Sequence, residues 1–207
     1  YLVHHRLATD LRDRKIPLSV NVDLTDFLAD AGTIGDWNME GLPSDPLSIQ
    51  NGILVTRSSR FPLLIDPQGQ ALNWIQNHEE SRLPSFGTTS NAHPKFREQM
   101  EYCLAEGKAI IILGIENEID PMLTPVLEKQ IITKAKSKYI TVAGKTCDYV
   151  DEFMLYLVTR LPNPHFTPED QSKCTIVDFT VTQKGLEKQL LGRVIQKEQR
   201  SLEESLK

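Results

Sequence analysis

Four apolar runs of strand length, separated by stretches with helical spacing, constrain the fold more than any other feature of the sequence. The runs are Phe61–Ile65, Ala109–Ile115, Phe153–Val158 and Thr175–Phe179. A strand that is apolar at nearly every position is typical of a parallel sheet, because helices cover both faces of such a sheet. The sequence therefore predicts an α/β fold with a parallel sheet flanked by helices.

Residues whose side chains commonly cap the N-termini of helices precede four stretches with helical spacing. Asp45 precedes Pro46–Leu54, Asn91 precedes the stretch with Phe96, Met100, Cys103 and Leu104, Thr167 precedes Pro168, and Thr182 precedes the last helix. The polar segment 78–92 is predicted to be a loop, and Lys138–Tyr149 is predicted to be an inserted β-hairpin.

The last helix carries an apolar stripe. Its members are Leu186, Leu190, Leu191, Val194 and Ile195, and the sequence becomes polar after Gln196. Apolar residues at this spacing share one helix face. We therefore predict that the first turns of this helix dock on the α/β body.

Charge and cysteine content argue against several classes of function. The net charge of −5 argues against a nucleic-acid-binding surface, and no apolar run approaches the ~20 residues of a membrane span. The three cysteines, Cys103, Cys147 and Cys174, lie far apart, which argues against a disulfide framework or a metal site and favours a reducing compartment. Because the chain begins at Tyr1 and ends within a helical pattern, we expect it to be a segment of a longer polypeptide.

A nucleotide site of a P-loop fold would lie at the turn after the first apolar run. A P-loop has the pattern GxxxxGK[ST]: its backbone N–H groups bind phosphate, its lysine contacts the outer phosphates, and its hydroxyl holds Mg²⁺. The two glycine positions, the lysine position and the hydroxyl position hold Asp66, Ala71, Leu72 and Asn73, and Pro67, Gln68, Gly69 and Gln70 lie between the glycine positions. We therefore predict a structural corner without a cofactor of its own.

The ends of the next two strands supply weaker candidates. The second run ends at Leu113, where a hydrolysing site needs an acidic residue, and Glu116, Glu118 and Asp120 follow only later. These acids are either displaced metal ligands or, more simply, loop residues with Asp120 as a helix cap. Thr159, at the end of the third run, is either a nucleotide sensor or a hydrogen-bonded strand end.

Cations and a thiol near the later strands have two interpretations each. Arg160 and Lys173 could reach a phosphate site of a neighbouring subunit, or they could be solvated surface cations. Cys174 could have a lowered pKa beside Lys173, or it could be a buried structural thiol. His165 lies in a proline-rich segment, and no catalytic partner for it is specified by the sequence.

Five ordered blocks resemble the fifth AAA+ module of dynein heavy chains. They are Trp37–Asp45 with its continuation Ser48–Ile53, then Arg60–Gln68, Leu161–Glu169, Asp178–Thr182 and Gly185–Leu191. The resemblance covers nearly the whole chain, and the block Asn163–Phe166 is similar to the axonemal, outer-arm heavy chains. One departure is Leu113, because the second strand of the family usually ends in an acidic residue.

The resemblance implies a P-loop NTPase-like AAA+ large subdomain in residues 31–181. Residues 1–30 would end the preceding module and form a linker, and residues 182–207 would begin the small subdomain and its buttress helix. The implied function is a structural, non-hydrolysing ring module of an ATP-driven microtubule motor, with ATP and Mg²⁺ bound in other modules. Its implied partners are the neighbouring AAA+ modules, the stalk through the buttress helix, and microtubules only through the parent motor; its implied location is cytoplasmic, in the axoneme of cilia and flagella.

Two other functions stay open on the sequence. A nucleotide-binding regulatory AAA+ module could hold ATP by backbone N–H groups alone, and a nucleotide titration would separate it from a purely structural module. An unrelated small-molecule enzyme of the doubly wound class would need a convergent set of polar side chains, which the sequence does not specify.

Overall fold

The computed structural model describes residues 10, 13–15, 24–134, 137–183, 185–187, 190–191, 194–195 and 198. The helices are α1 Leu24–Leu28, α2 Ala31–Met39, α3 Pro46–Arg57, α4 Gln70–His78, α5 Phe96–Glu106, α6 Thr124–Leu127 and α7 Pro168–Lys173, with a 3₁₀ turn at Pro121–Leu123. The strands are β1 Pro62–Ile65, β2 Thr88–Ser90, β3 Ala109–Leu113, β4 Ile132–Lys134, β5 Ser137–Val142, β6 Lys145–Tyr149, β7 Met154–Thr159 and β8 Thr175–Asp178. The sequence also predicts an amphipathic helix over residues 1–14 that ends at Ile16-Pro17. This stretch and the polar end of the last helix lie largely outside the described residues.

The central sheet is parallel throughout and has the strand order β2-β3-β7-β1-β8. Alternate residues of its strands enter two separate cores, because successive side chains of a strand point to opposite faces. Leu63, Ile110, Ile112, Leu155 and Leu157 belong to one core, whereas Leu64, Ile111, Tyr156, Val158 and Val177 belong to the other. The predicted α/β fold, with a parallel sheet buried on both faces, is confirmed.

Helices cover both faces of this sheet. The first core is closed by the apolar face of α5, which consists of Phe96, Met100, Cys103 and Leu104. The second core is closed by α2, α3 and α4, which contribute Trp37, Ile53, Val55, Ala71, Trp74 and Ile75. The close packing of α3 against α2 depends on Gly52, because a Cβ there would lie 3.0 Å from Leu42 and 3.1 Å from Trp37.

The predicted hairpin is present and is part of a three-stranded antiparallel sheet, β4-β5-β6. Its turn has Ala143 at φ 47° and Gly144 at φ 79°, and two consecutive positive φ values are characteristic of tight hairpin turns. Ile140 and Val142 of β5 are fully buried in the first core. The small sheet is therefore packed onto the same body as the parallel sheet.

Two predictions within segment 78–96 are wrong. The segment 78–92 is not only a loop, because Thr88–Ser90 pairs in parallel with β3 and forms the edge of the sheet. Asn91 does not cap α5: the helix begins at Phe96 after Lys95, which makes no side-chain capping bond. The edge strand was missed because it is short and polar, and therefore lacks the apolar run by which the other strands were found.

The last helix begins where predicted but does not dock as predicted. Thr182 Oγ1 accepts a hydrogen bond from Gly185 N at 3.1 Å. The apolar stripe residues Leu186, Leu190, Leu191, Val194 and Ile195 are 47–60% exposed. The spacing correctly placed these residues on a helix, but an apolar stripe specifies only that some partner is favourable, not that the partner is this α/β body.

Candidate nucleotide site at the carboxyl edge of the sheet

The corner between β1 and α4 lies at the carboxyl edge of the sheet. β1 is an inner strand, flanked by β7 and β8, and ligands of open α/β sheets bind beyond the carboxyl ends of such strands. Asp66 N donates to Thr159 O at 2.9 Å and so extends the β1–β7 pairing by one residue. Gly69 precedes α4 with φ 76°, a left-handed conformation that glycine adopts without strain.

The carboxylate of Asp66 lies at the N-terminus of α4. Its Oδ1 accepts from Gln70 N at 2.9 Å, and its Oδ2 accepts from Leu72 N at 2.8 Å. Asp66 is only 1% exposed. In a P-loop the N–H groups at this end of the helix bind phosphate. Here they bind a side chain of the same corner.

The ionisation of Asp66 is subject to two opposing effects. Burial raises the pKa of its carboxyl, and the hydrogen bonds from backbone N–H groups of residues 69–72, led by Leu72 and Gln70, act in the opposite direction. Burial outweighs these hydrogen bonds, so the pKa of Asp66 is raised above its usual value. No ion pair of the described residues involves Asp66, so the charge is met by backbone dipoles rather than by a cation.

The rest of the corner presents no ammonium or hydroxyl group. Leu72 is partly buried and packs against the second core, and Ala71 is fully buried in it. Asn73 and Gln68 are exposed, whereas Pro67 is half-buried. A Cβ on Gly41 would lie 3.1 Å from Asn73 Nδ2, so the Asn73 side chain lies beside the loop that follows α2.

The end of β3 does not bring an acidic residue to the corner, and Asp178 at the end of β8 accepts a hydrogen bond from Thr180 N at 2.8 Å. Leu113 is half-buried, and the following Gly114 has φ 77°. Glu116 and Glu118 are exposed, and the Asp120 carboxylate accepts from Met122 N at 2.9 Å, so the predicted cap is confirmed. Among the described residues, no group of three or more His, Cys, Asp and Glu side chains is arranged to hold a metal ion.

Thr159 and the two candidate cations are placed as follows. Thr159 is fully buried, and its Oγ1 accepts from Leu161 N at 3.2 Å, so its hydroxyl stabilises the chain as it leaves β7. Arg160 is exposed directly after this strand end. Lys173 Nζ lies 2.7 Å from Glu169 Oε1 and 3.7 Å from Asp170 Oδ1, so its charge is already paired within α7.

The three thiols are buried in the described structure. Burial raises the pKa of Cys103 to about 11 and that of Cys174 to about 11, and it also raises the pKa of Cys147. A nucleophilic thiol needs a shift in the other direction. Of the two interpretations of Cys174, the buried structural thiol is the one that the structure supports.

Asn51, which none of the sequence predictions assigns to the site, lies near the corner. Its Nδ2 donates to Asp178 O at 2.6 Å, and its side chain is buried. The bond holds α3 against the end of β8, next to a narrow crevice lined by Gln70, Phe179 and Thr180. The sequence signal was available, since a polar residue on the buried face of an apolar helix has to find a hydrogen-bond partner.

The chain matches known motor proteins over nearly all of its length. The family model of the ATP-binding dynein motor region matches residues 35–207. The chain is 49% identical over 203 residues to the dynein gamma chain of the flagellar outer arm of Chlamydomonas reinhardtii, and 47% identical over 203 residues to dynein axonemal heavy chain 8 of Homo sapiens. It is 37% identical over 203 residues to the dynein beta chain of the flagellar outer arm of Chlamydomonas reinhardtii.

Each of these three alignments covers 98% of the chain but 4% of the relative, so the chain corresponds to a small part of each heavy chain. No helix within the described residues is long and apolar enough to cross a membrane. The parallel five-stranded sheet, the helices on both faces and the inserted antiparallel sheet give the architecture of an AAA+ motor region. The chain therefore belongs to the family of ATP-binding dynein motor regions.

Proposed function

We propose that the chain is the fifth AAA+ module of an axonemal dynein heavy chain and that it supports the motor ring without hydrolysing ATP. The five ordered sequence blocks support the position in the ring. The names of the relatives, which are flagellar outer-arm and axonemal heavy chains, support a location in the axoneme. On this proposal the neighbouring modules of the same heavy chain are its direct partners, and it meets microtubules only through the parent motor.

The observation that carries the non-hydrolysing role is the chemical content of the corner between β1 and α4. Phosphoryl transfer depends on positive charge and Mg²⁺ beside the outer phosphates. The lysine position holds Leu72, whose side chain packs against the second core, and the strand end that needs an acid holds Leu113. The N–H groups that remain are bonded to Asp66.

The last helix supports a mechanical role. Its apolar stripe is exposed on this body, so a partner elsewhere in the heavy chain would be needed to cover it. On the proposed function that partner belongs to the small subdomain and the buttress. A helix that begins after Thr182, four residues beyond the end of β8, would then pass a rotation of the α/β body to the stalk.

A nucleotide-binding regulatory module is the second candidate. One observation favours it: Thr180 Oγ1 is buried without a hydrogen-bond partner among the described residues, and Thr180 lines the crevice beside Asn51 and Gln70. A ligand or a water molecule in the crevice would satisfy this hydroxyl. Nucleotide bound at a corner without the lysine and the acidic residue would not be hydrolysed.

A nucleotide titration of the chain separates the two candidates. A ligand at ~100 times its dissociation constant raises the free energy of unfolding by about 2.7 kcal/mol, which is readily seen as a higher Tm. We expect no specific rise in Tm with millimolar Mg-ATP or Mg-ADP, measured against equal concentrations of Mg²⁺ and inorganic phosphate. A saturable rise that is lost in Thr180→Val would support the regulatory module and contradict the structural one.

Restoring the lysine alone is expected not to restore hydrolysis. In Leu72→Lys the carboxylate of Asp66 still occupies the helix N–H groups, and Leu113 still replaces the acid. The variant should lose about 1–2 kcal/mol of unfolding free energy because part of the Leu72 apolar surface leaves the core, although the lysine can extend its ammonium to water. ATP turnover of the purified chain is the measurement, with Leu72→Met as the control for side-chain shape. Turnover above that of the Leu72→Met control would show that the corner retains catalytic capacity.

A further inference from the structure

The start of α4 has an unusual way of satisfying its backbone N–H groups. The first four N–H groups of a helix have no partner within the helix and usually bond to a side chain at the N-cap. The N-cap of α4 is Gly69, which has no side chain. Asp66, three residues earlier, supplies both oxygens instead, at 2.9 Å from Gln70 N and 2.8 Å from Leu72 N.

Burying this carboxylate would be unfavourable in free energy if its hydrogen bonds to the backbone were not made. A carboxylate that is 1% exposed loses almost all of its hydration, and such a loss is tolerated only where hydrogen bonds replace the water. The described ion pairs give Asp66 no cation, and the positive end of the α4 dipole is the remaining compensation. The corner is therefore a small anion site that the chain fills with its own side chain.

We propose that Asp66 is a built-in anion that takes the place of a nucleotide phosphate and holds the β1–α4 corner in its folded shape without any bound ligand. This inference rests on the proposed function, since a corner that bound ATP would need the same N–H groups for phosphate. A negative charge at this position would repel a bound phosphate, but here the same charge stabilises the corner. The corner then keeps one conformation without needing a bound ligand.

Removal and replacement of the carboxylate test this proposal. In Asp66→Ala the N–H groups of Gln70 and Leu72 face a small empty space, and the Tm of the chain should fall by several degrees. Formate has the shape of the missing carboxylate. We expect sodium formate to restore part of the Tm of Asp66→Ala in a saturable manner, relative to sodium chloride at equal ionic strength, and to leave the wild-type Tm unchanged.

Two controls keep the outcome interpretable. Asp66→Asn retains the size of the side chain but offers one acceptor oxygen, so it should fold, lose less Tm than Asp66→Ala and gain nothing from formate because the space is filled. If Asp66→Ala does not fold in chloride, the test is whether refolding in formate recovers it. An unchanged Tm in both variants, or equal effects of formate on Asp66→Ala and on wild type, would overturn the proposal. A wild-type Tm raised by Mg-ATP would instead contradict the proposed function, whatever formate does.

Discussion

Replacing Trp74 by alanine is expected to lower the unfolding free energy of the chain by about 3–5 kcal/mol, the range for large aromatic truncations in a core. Trp74 is fully buried in α4, and its ring lies 5.9 Å from that of Trp37 and 6.2 Å from that of Phe179. Its Nε1 donates to Glu40 Oε2 at 3.2 Å. The side chain therefore joins three separate segments, α2, α4 and the end of β8, behind the candidate site.

The measurement is urea unfolding followed by far-ultraviolet circular dichroism. Met39→Ala is the matched control, because Met39 lies in the same layer but is 81% exposed, and its removal should change stability by no more than about 0.5 kcal/mol. Trp74→Phe should fall between the two, since it keeps an aromatic ring and loses the bond to Glu40. A loss below about 1 kcal/mol in Trp74→Ala would mean that the aromatic cluster does not hold these segments together.

The sheet could be predicted from the sequence because burial on both faces leaves a local signature. Ala109–Leu113 and Met154–Thr159 are apolar at nearly every position, so their strand character does not depend on knowing the neighbours. The hairpin could also be predicted from the local sequence, since Ala143-Gly144 favours a tight turn. Thr88–Ser90 was missed because an edge strand is held by backbone pairing with one neighbour, and such pairing selects no particular side chains.

The candidate site could be located from the sequence, but its geometry could not. The strand–turn–helix order was enough to place Asp66, Leu72 and Leu113 near one edge of the sheet. Whether the Asp66 carboxylate points to solvent or to the helix N-terminus depends on the path of the turn, and that path is fixed by Gly69 in the left-handed conformation. A negative charge is unfavourable next to a phosphate, but it is favourable where it replaces the phosphate.

Val194→Pro, introduced into the complete motor, is expected to have the second large effect, on microtubule-dependent activity. Proline within a helix costs about 3 kcal/mol and kinks it, because it removes a backbone hydrogen bond and collides with the preceding turn. Val194 is helical and 54% exposed, so the substitution removes little core packing from the α/β body. If the last helix transmits motion from this module to the stalk, basal ATP hydrolysis should persist while microtubule stimulation and microtubule gliding are lost.

Val194→Ala is the control, because it shortens the same side chain and keeps the helix hydrogen bond. We expect it to keep microtubule-stimulated hydrolysis and gliding close to those of the wild-type motor, because only the proline breaks the helix. Circular dichroism and size-exclusion chromatography establish that both motors are folded. Because the apolar stripe is exposed, a defect in Val194→Pro cannot be attributed to a lost contact with the sheet. Normal gliding by the folded proline variant would show that the helix does not transmit motion, and the mechanical role proposed for this module would then be wrong.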